Sequence, residues 1–551
     1  MLSIISFVGF TALVAVIAWY ASRKTDETSA DGFYLGGRSL GALTIAGSLL
    51  LTNLSAEQIV GLNGQAFSEG ILVMAWETLA AIAIIATAIF LLPKYMSSGI
   101  TTIPEFIEGR FDQQTRAIMA VLFLIAFGIV LLPTILYSGS LAFSTMFDLP
   151  ELFGISQSAV IWLCVWSIGI IGIIYAIFGG LKAVVVSDLI NAIGLMIGGL
   201  LIPFFGLSVI GNGNVMDGLN TLWNSNPEKF NAVGDVTSSI PFGTIFTGMM
   251  IAQVYYWGTN QSILQRVFGA KNLAEGQKGM IAAAFVKFLI PVIVVLPGII
   301  AWHVFEGNLE NADQAYPALV KKVLPTAFIG FFAAVLFGAV LSSFNSLLNS
   351  SATLFGSDLY KQNFNKNSTE KQSVKAGKIA GLILALISMS IAPFIANAPD
   401  GLFSYIQQAL GSLSVPILAV VLTGIISKRV PATGAKTALI AGVLMYLFSL
   451  LYLGPNTIEA AVSEATANGI SNINEIAIIK AKAYPHFLHI MGILFVINML
   501  IMLIFRLVKP KKDEEIYIPQ VTEIIDTTPW KYTLPVGLLI VILVLVTYVI
   551  F

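Results

Sequence analysis

A cluster of polar side chains interrupts an apolar stretch near the start of the chain. The stretch covers residues 47–64, and the cluster within it consists of Thr52, Asn53, Ser55, Glu57 and Gln58. An ionisable residue at the centre of a membrane helix costs about 2.5–3.5 kcal/mol. Hydroxyl, amide and carboxyl groups can coordinate an ion or hydrogen-bond a polar solute. The cluster therefore indicates a binding site inside a membrane.

Further charged residues lie within apolar segments. Charges at membrane depth face a cavity or pair with each other, so Glu77 and Lys287 fit either a structural ion pair between helices or contact with a substrate. Asp188 lies near the start of another apolar segment. It fits a helix cap or an interfacial charge as well as a role in the exit of an ion. Glu57 is interpreted as a carboxylate that bonds to backbone at a helix break.

A serine pair, Ser342 and Ser343, lies in an apolar segment that is rich in Ser and Asn. Serines in membrane helices often bond back to carbonyl groups of their own helix, and this interpretation fits most of the segment. Serine hydroxyls and neighbouring carbonyl groups also supply the neutral oxygen ligands that a hard monovalent cation accepts. Both interpretations stay open at this point.

Amides and aromatic side chains complete the set of candidates. The intramembrane amides are Gln58, Gln253, Asn260, Gln261 and Gln407. The aromatic residues near them are Trp76, Tyr137, Tyr256, Trp257 and Tyr405. Amides, a carboxylate and an ammonium group hydrogen-bond hydroxyls, and aromatic rings stack on the apolar face of a sugar ring. A polyol ligand therefore fits this inventory.

The composition places these residues in a membrane protein. Of the 551 residues, 57% are hydrophobic and 11% are charged, and the mean hydropathy is +0.86, whereas soluble domains are about 25% charged. The net charge of −1 lacks the excess of basic residues that is typical of nucleic-acid-binding proteins. The single Cys164 excludes an intramolecular disulfide, and three scattered histidines do not suggest a metal centre. Without a nucleophile–base pair or a phosphate loop, neither an enzyme nor a cofactor is expected.

The elements that position these residues are membrane helices, which need roughly 20 mostly apolar residues each. This rule predicts about fourteen spans. The N-terminal run lacks a basic segment and a cleavage site, so we expect a retained helix. The predicted spans lie near 3–21, 40–66, 70–96, 116–146, 156–178, 184–210, 240–265, 277–303, 326–358, 376–396, 399–426, 433–453, 485–508 and 533–551.

The 29 lysines and arginines are distributed unevenly over the loops. The loops on one side of the membrane hold nearly all of them, and cytoplasmic loops carry such an excess. Both termini are therefore predicted to lie outside the cytoplasm, in a plasma or inner membrane. The long outside loops 211–239 and 454–484 are interpreted as connectors, with a surface helix in the second. The cations of the outside loops are Lys229, Lys321, Lys322, Lys480 and Lys482.

Two predicted spans contain polar interruptions. Span 40–66 is interrupted at 52–58, and span 240–265 is interrupted at 253–261. Irregular backbone at membrane depth is tolerated where it is buried in protein or lines a cavity. Interrupted helices at corresponding positions of two halves are typical of inverted-repeat transporters with a central site.

Short motifs along nearly the whole chain resemble one family. They are Gly32-Phe-Tyr-Leu-Gly-Gly-Arg-Ser-Leu40, Thr52-Asn-Leu-Ser-Ala-Glu-Gln58, Thr102-Ile-Pro-Glu-Phe106, Gly179-Gly-Leu-Lys-Ala183, Tyr255-Tyr-Trp-Gly-Thr-Asn-Gln261, Gln265-Arg266, Lys287 before a proline, Ser342-Ser343 and Tyr405-Ile-Gln407. Together they resemble the sodium:solute symporter family, and within it the sodium/glucose-type branch.

The resemblance implies an all-α integral membrane protein of the LeuT type. Its core would consist of two inverted five-helix repeats, residues 40–210 and 240–426, joined by the outside loop 211–239. One extra helix with its loop, residues 1–39, would precede the core. Three extra helices, in residues 427–551, would follow it.

The resemblance also implies a sugar site and a gate. The sugar-contacting positions of the branch fall on Gln58, Glu77, Gln253, Lys287 and Gln407, with Trp257 beside them. The inner-gate tyrosine falls on Tyr256, and its partner amide falls on Asn53.

Three positions depart from the galactose carrier of the family. Gln253 replaces an asparagine, Trp76 replaces a tyrosine, and Ala80 replaces a serine, so that one hydroxyl is lost. These departures leave the identity of the sugar open.

The family's sodium site combines backbone carbonyl groups of the first interrupted helix with the serine pair. It falls on Leu51, Leu54, Ala339, Ser342 and Ser343, and the aspartate suggested for sodium release falls on Asp188. The resemblance thus implies sodium-coupled uptake of a sugar, a hexose such as galactose or glucose, by alternating access. Two alternatives are symport of another small solute, such as an amino acid, a carboxylate or an osmolyte, and a sugar sensor or ion leak.

Overall fold

The computed structural model describes residues 35–397, 402–511 and 525–551, together with parts of 7–20, and it describes only the backbone of residues 175–185. Within these ranges the regular structure is helical, and the extended pairing is limited to one bridge between Leu40 and Ala270. The predicted all-helical fold class is therefore confirmed.

The helices follow one another with short connections. After the N-terminal segment, the α-helices are α1 Ala42–Asn53, α2 Ala56–Glu69, α3 Ala75–Ala86, α4 Leu92–Ser97, α5 Ile103–Arg110, α6 Gln113–Ile125, α7 Leu132–Met146, α8 Leu149–Phe153, α9 Gln157–Ile210, α10 Val215–Ser225, α11 Gly248–Gly258, α12 Gln261–Phe268, α13 Leu273–Leu289, α14 Pro291–Val294, α15 Leu296–Val304, α16 Ala315–Val323, α17 Thr326–Thr353, α18 Glu370–Ile391, α19 Leu402–Ile426, α20 Ala432–Phe448, α21 Gly454–Ala467, α22 Ile473–Ala483, α23 Phe487–Val508 and α24 Thr533–Ile550.

Wider π-helical turns join several of these helices. In three cases a proline, Pro93, Pro133 or Pro455, lies in the first turn of the helix that follows. Proline has no backbone N–H and clashes with the carbonyl group four residues earlier, so the hydrogen-bond spacing widens there. The π-helical segments are Thr87–Leu91, Ala126–Leu131, Leu354–Phe364 and Ser449–Leu453.

The first predicted interruption is a break between α1 and α2. Leu54 (φ −80°, ψ 61°) and Ser55 (φ −92°, ψ −177°) leave the helical conformation there. The second interruption is a break between α11 and α12, at Thr259 (φ −140°, ψ −13°) and Asn260 (φ −71°, ψ 122°). Both breaks fall within the predicted polar segments, so these two predictions are confirmed.

The helical chain of α9 folds back along α17. Gly172 lies against Phe344, whereas Asp188, farther along α9, accepts a hydrogen bond from Ser342. Both contacts fall on the same stretch of α17, so the two arms of α9 are neighbours there. Each arm is apolar and long enough to cross a membrane, as the sequence predicted for spans 156–178 and 184–210.

The span that carries Lys287 is bent, which the sequence analysis did not predict. The helical stretches Leu273–Leu289 and Pro291–Val304 meet at an angle of 44°. Pro291 opens α14 and Pro297 lies in the first turn of α15. The prediction of one regular span over 277–303 is therefore corrected, because prolines interrupt its hydrogen-bond ladder.

Ten helices in the described ranges are long and apolar enough to cross a membrane, or eleven if the bent pair counts as one span. The total of about fourteen stays a prediction. Span 3–21 lies largely outside the described residues. The spans 40–66 and 240–265 are divided by their breaks into shorter helices.

The segment before α1 is fastened to the region between α12 and α13. The N–H of Leu40 donates to the carbonyl group of Gly269 at 3.0 Å. Glu275 Oε2 accepts a hydrogen bond from the N–H of Ala42 at 2.8 Å and so caps α1. These contacts close the predicted cytoplasmic end of the two broken helices.

Candidate functional site

One small cavity brings together polar residues from several distant spans. Its volume is about 60 Å³. Every residue that the sequence analysis assigned to sugar contact or to the gate lies in its wall. The polar and aromatic lining consists of Asn53, Glu57, Gln58, Trp76, Glu77, Gln253, Tyr255, Tyr256, Trp257, Lys287, Gln407 and Ser414.

Glu77 and Lys287 form an ion pair in the wall of this cavity. Their side chains are 2% and 1% exposed, so the pair is screened from solvent. Lys287 Nζ also lies 5.8 Å from the ring centroid of Trp257, within the range of a cation–π interaction. The pair joins α3 to α13, and it also faces the cavity. The structural and the substrate-contact interpretations of these residues are thus compatible.

Several atoms in the cavity wall have no hydrogen-bond partner among the described residues. They are Asn53 Oδ1, Glu57 Oε2, Gln58 Oε1 and Trp76 Nε1. Glu57 lies in the first turn of α2, next to the helix break, and a bond from its carboxylate to backbone there stays a prediction. Buried polar atoms are nearly always satisfied. The four atoms are therefore a set of donors and acceptors that a polyhydroxylated solute can complete.

The remaining gate and contact residues are held in place by their neighbours. Gln253 Nε2 donates to the backbone carbonyl group of Trp76 at 2.8 Å. Asn53 and Tyr256 both line the cavity, and their pairing as a gate stays a prediction. The rings of Tyr256 and Trp257 pack edge to face with their centroids 5.3 Å apart. Contacts between α3 and α11 thus shape this part of the cavity.

Some polar candidates lie elsewhere. Asn260 caps α12, and Gln261 Oε1 accepts a hydrogen bond from the N–H of Ile103 at 2.9 Å. Tyr137 lines a separate and larger vestibule. Tyr405 is absent from the lining of both the cavity and the vestibule. These amides position helices in the described structure, and they do not face the cavity.

Apart from Ala80, the sequence analysis missed the apolar part of the lining. An apolar residue in an apolar span gives no signal that separates a cavity wall from ordinary packing. Met491 comes from α23, so a helix beyond the predicted repeats also contributes to the wall. The apolar lining residues are Ala80, Leu131, Ala252, Phe403, Ile406, Leu410 and Met491.

The vestibule has a volume of about 1010 Å³ and lies among the predicted outside loops. Its lining includes Gln65, Asp313 and Lys480. Phe403 lines both the vestibule and the cavity, and its ring packs edge-on against Trp76 with 5.2 Å between centroids. These two rings therefore form part of the partition between the vestibule and the cavity.

Ser343 lies against the backbone of the first helix break. Its Oγ donates to the carbonyl groups of Leu51, at 3.3 Å, and Thr52, at 3.2 Å. Because α1 ends here, carbonyl groups of its last turn lack helical partners. Leu54 forms the break itself, and Ala339 lies one turn before Ser343 on α17. The Ser343 hydroxyl thus lies beside the carbonyl oxygens of Leu51 and Thr52. The assignment of the full set of residues to a sodium site stays a prediction.

Ser342 faces a different group, the carboxylate of Asp188. Its Oγ donates to Asp188 Oδ1, and Ser48 Oγ donates to Oδ2 at 2.7 Å. Asp188 is fully buried between α1, α9 and α17. The interpretation of Asp188 as a helix cap or interfacial charge is therefore wrong. Its carboxylate adjoins the serine pair, as an ion-exit role requires.

The sequence of the chain is similar to those of several known proteins. The chain is 44% identical over 530 residues to the uncharacterized symporter YidK of Escherichia coli K12, which covers 96% of this chain and 87% of that protein. It is 33% identical over 471 residues to the sodium/glucose cotransporter of Vibrio parahaemolyticus, covering 81% and 84%. It is 29% identical over 478 residues to the human sodium/myo-inositol cotransporter 2, covering 80% and 68%.

The fold matches that of a solved transporter. A Na⁺-coupled sialic acid symporter in a substrate-bound outward-open state superposes with a TM-score of 0.67 at 20% identity, over 93% of this chain and 98% of that chain. The LeuT-type fold class that the resemblance implied is therefore confirmed. The family model for the sodium:solute symporter family matches residues 33–442. The chain belongs to the sodium:solute symporter family and is a multi-pass membrane transporter, not an enzyme.

Proposed function

We propose that this transporter couples the inward movement of sodium to the uptake of a neutral polyhydroxylated solute, a sugar such as glucose or galactose. One observation carries the proposal. A single cavity holds Gln58, Glu77, Gln253, Lys287 and Gln407, and the same broken helix that supplies Gln58 also supplies the carbonyl groups beside Ser343.

The matched charges of the Glu77–Lys287 pair in the cavity favour an uncharged solute. Glu77 and Lys287 neutralise each other, so an anionic or cationic ligand would have to separate a buried pair. Amide oxygens, a carboxylate oxygen and an indole N–H remain as hydrogen-bonding groups. Relatives named as sodium/glucose and sodium/myo-inositol cotransporters carry ligands of this class.

Coupling follows from the shared helix break. Sodium held by carbonyl groups of Leu51 and Leu54, together with Ala339, Ser342 and Ser343, would fix α1 and α2 relative to α17. Fixing α2 orders Gln58 for the sugar, so each ligand favours the state that the other favours. One charge moving inward gains about 2.3 kcal/mol per 100 mV of membrane potential. The ion gradient adds to this driving force.

Uptake into proteoliposomes tests the proposal. The purified protein is reconstituted, and an inward sodium gradient is imposed with a panel of labelled hexoses, myo-inositol, sialic acid and amino acids. We expect accumulation of at least one neutral sugar or polyol with sodium and none with potassium. Sodium-driven accumulation of only an acid or an amino acid would favour the alternative of another solute. Sodium current without accumulation would favour a sensor or leak.

A substitution in the cavity assigns the uptake to this site. Gln407→Ala removes a lining amide, and we expect it to lower uptake efficiency for the sugar roughly tenfold or more, because a solute hydroxyl then loses its partner. Gln408→Ala is the matched control, since Gln408 lies next in the chain but lines the vestibule. Equal losses in both variants would argue against the cavity as the sugar site.

A further inference from the structure

A buried arginine, Arg266, lies beside the ion-exit aspartate. The motif Gln265-Arg266 belongs to the family resemblance, but it has no place yet in the proposed mechanism. Arg266 lies in the last turn of α12, the short helix that follows the second helix break, and it is fully buried. A buried guanidinium is costly unless its donors are satisfied and its charge is matched. The partners of Arg266 therefore indicate what it does.

The guanidinium contacts two helices other than its own. Its Nε donates to Ser48 Oγ on α1 at 3.1 Å, and its Nη2 donates to Ser346 Oγ on α17. Its Nη1 donates to the carbonyl group of Ser262, in the first turn of α12. One side chain next to the second helix break thus reaches both helices that supply the proposed sodium ligands.

The matching negative charge is Asp188. Ser48 Oγ accepts a hydrogen bond from Arg266 and donates to Asp188 Oδ2 at 2.7 Å. The same carboxylate accepts a hydrogen bond from Ser342, a member of the serine pair. The guanidinium and the carboxylate therefore meet through one serine hydroxyl, on the path between the serine pair and α12. A sodium ion at Asp188 would lie close to a fixed positive charge.

We propose that Arg266 is a built-in competitor of sodium, the counter-charge that balances Asp188 and opposes the binding of an ion at that carboxylate. The proposal rests on the sodium site of the proposed function. In this arrangement Asp188 attracts the ion from the serine pair, while Arg266 keeps the attraction weak enough for release. Because Arg266 is fixed to α12, the position of the second helix break sets how well it competes. Arg266 is thus a positioning residue that links the second break to sodium release.

Opposite single substitutions should change sodium affinity in opposite directions. Arg266→Gln leaves Asp188 as an unmatched buried carboxylate, so we expect sodium to bind roughly tenfold more tightly. Asp188→Asn leaves Arg266 unmatched, so we expect sodium to bind roughly tenfold more weakly. The double variant removes both charges, and its affinity should return towards that of the unsubstituted protein. If Arg266 had only a structural role, sodium would bind more weakly in both Arg266→Gln and Asp188→Asn.

The measurement is equilibrium binding of radioactive sodium to the purified full-length protein in detergent, without sugar. Size-exclusion chromatography selects folded material, and Arg266→Lys, which keeps the charge, serves as a second variant that should stay near the unsubstituted affinity. Arg116→Gln is the matched control. Arg116 is also buried and pairs with an aspartate, Asp358, at 2.6 Å. We expect this control to alter stability but not sodium affinity.

The outcomes separate the two proposals. Tighter binding in Arg266→Gln and weaker binding in Asp188→Asn support the role of Arg266. Unchanged or weaker binding in folded Arg266→Gln overturns it and leaves the sodium site intact. An unsubstituted protein that binds no sodium overturns the ion coupling of the proposed function.

Discussion

At the scale of residues, the site is a set of polar side chains of which some have hydrogen-bond partners in the protein and others do not. Glu77 and Lys287 satisfy each other, whereas Glu57 Oε2 and Gln58 Oε1 lack partners among the described residues. A solute that supplies hydroxyl groups to these oxygens would complete the network. The Glu77–Lys287 ion pair helps to fix the shape of the cavity. The oxygens of Glu57 and Gln58 that lack partners are the groups that would bind a solute.

The hydroxyl of Ser343 gives the first prediction at this scale. Its contacts with Leu51 and Thr52 place it among the proposed sodium ligands, so Ser343→Ala should weaken sodium affinity roughly tenfold while the cavity keeps its sugar contacts. The measurement is the sodium concentration needed for half-maximal sugar uptake. Ser351→Ala is the control on the same helix, because within the described ranges Ser351 bonds back to Leu347 of its own helix, at 2.7 Å. A normal sodium requirement in Ser343→Ala would remove Ser343 from the site.

The polar residues of the site could be predicted from the sequence. A polar group at membrane depth is energetically unfavourable, so its presence there indicates a function. Gln58, Glu77 and Lys287 each stood out for this cause, and all three line one cavity. The apolar wall could not be predicted, since Phe403 and Met491 are ordinary residues of apolar spans. The sequence could not decide between the two interpretations of Asp188, because a position near a predicted span end does not reveal burial by neighbouring helices.

At the scale of elements, the two broken helices have the same local features. Each break exposes backbone groups and carries polar side chains, and Arg266 of α12 reaches Ser48 of α1. The breaks were predictable from runs of polar residues. The division into repeats 40–210 and 240–426 remains a proposal that the matching positions of the breaks support. The bend at Pro291 was not predicted, because the flanking residues are uniformly apolar.

Lys229 supplies a prediction about α2. Its Nζ donates to the carbonyl groups of Phe67, at 3.1 Å, and Ser68, at 2.6 Å, and lies 3.7 Å from the ring centroid of Trp302. The loop 211–239 is therefore more than a connector, because it caps the C-terminal end of α2. Lys229→Met should lower the free energy of unfolding by roughly 1.5–3 kcal/mol, the value of hydrogen bonds from a charged donor.

Thermal unfolding of the purified protein in detergent measures this effect as a lower melting temperature. Lys322→Met, at an exposed position on the same predicted side, is the control and should leave the melting temperature unchanged. Equal melting temperatures for Lys229→Met and the unsubstituted protein would show that the cap is energetically neutral.

At the scale of the whole molecule, the vestibule and the fastened end of the broken helices lie on opposite sides. The distribution of lysines and arginines predicts that the vestibule faces outside and that both termini lie there. The fold class could be predicted from hydropathy and motifs. The number of spans could not be fixed, because breaks and bends divide apolar segments into helices that hydropathy alone counts differently.

Cysteine labelling tests this orientation, since Cys164 is the single cysteine of the chain and Cys164→Ala gives a cysteine-free background. Asn468→Cys lies on the predicted outside and Lys366→Cys on the predicted cytoplasmic side, both at exposed positions. A membrane-impermeant maleimide should label Asn468→Cys in intact cells and Lys366→Cys only after permeabilisation. The reverse pattern would invert the predicted orientation.

The vestibule has an electrical consequence. In the predicted orientation the vestibule would bring the outside solution as far as Phe403 and Trp76, and the membrane potential would fall mainly across the packed protein beyond those rings. The electric field there would be steeper than across a bilayer of full thickness. Sodium arriving through the vestibule would cross little of the potential, and its step past Asp188 and Arg266 would cross most of it. Voltage should therefore act mainly on the rate of release and little on the rate of binding.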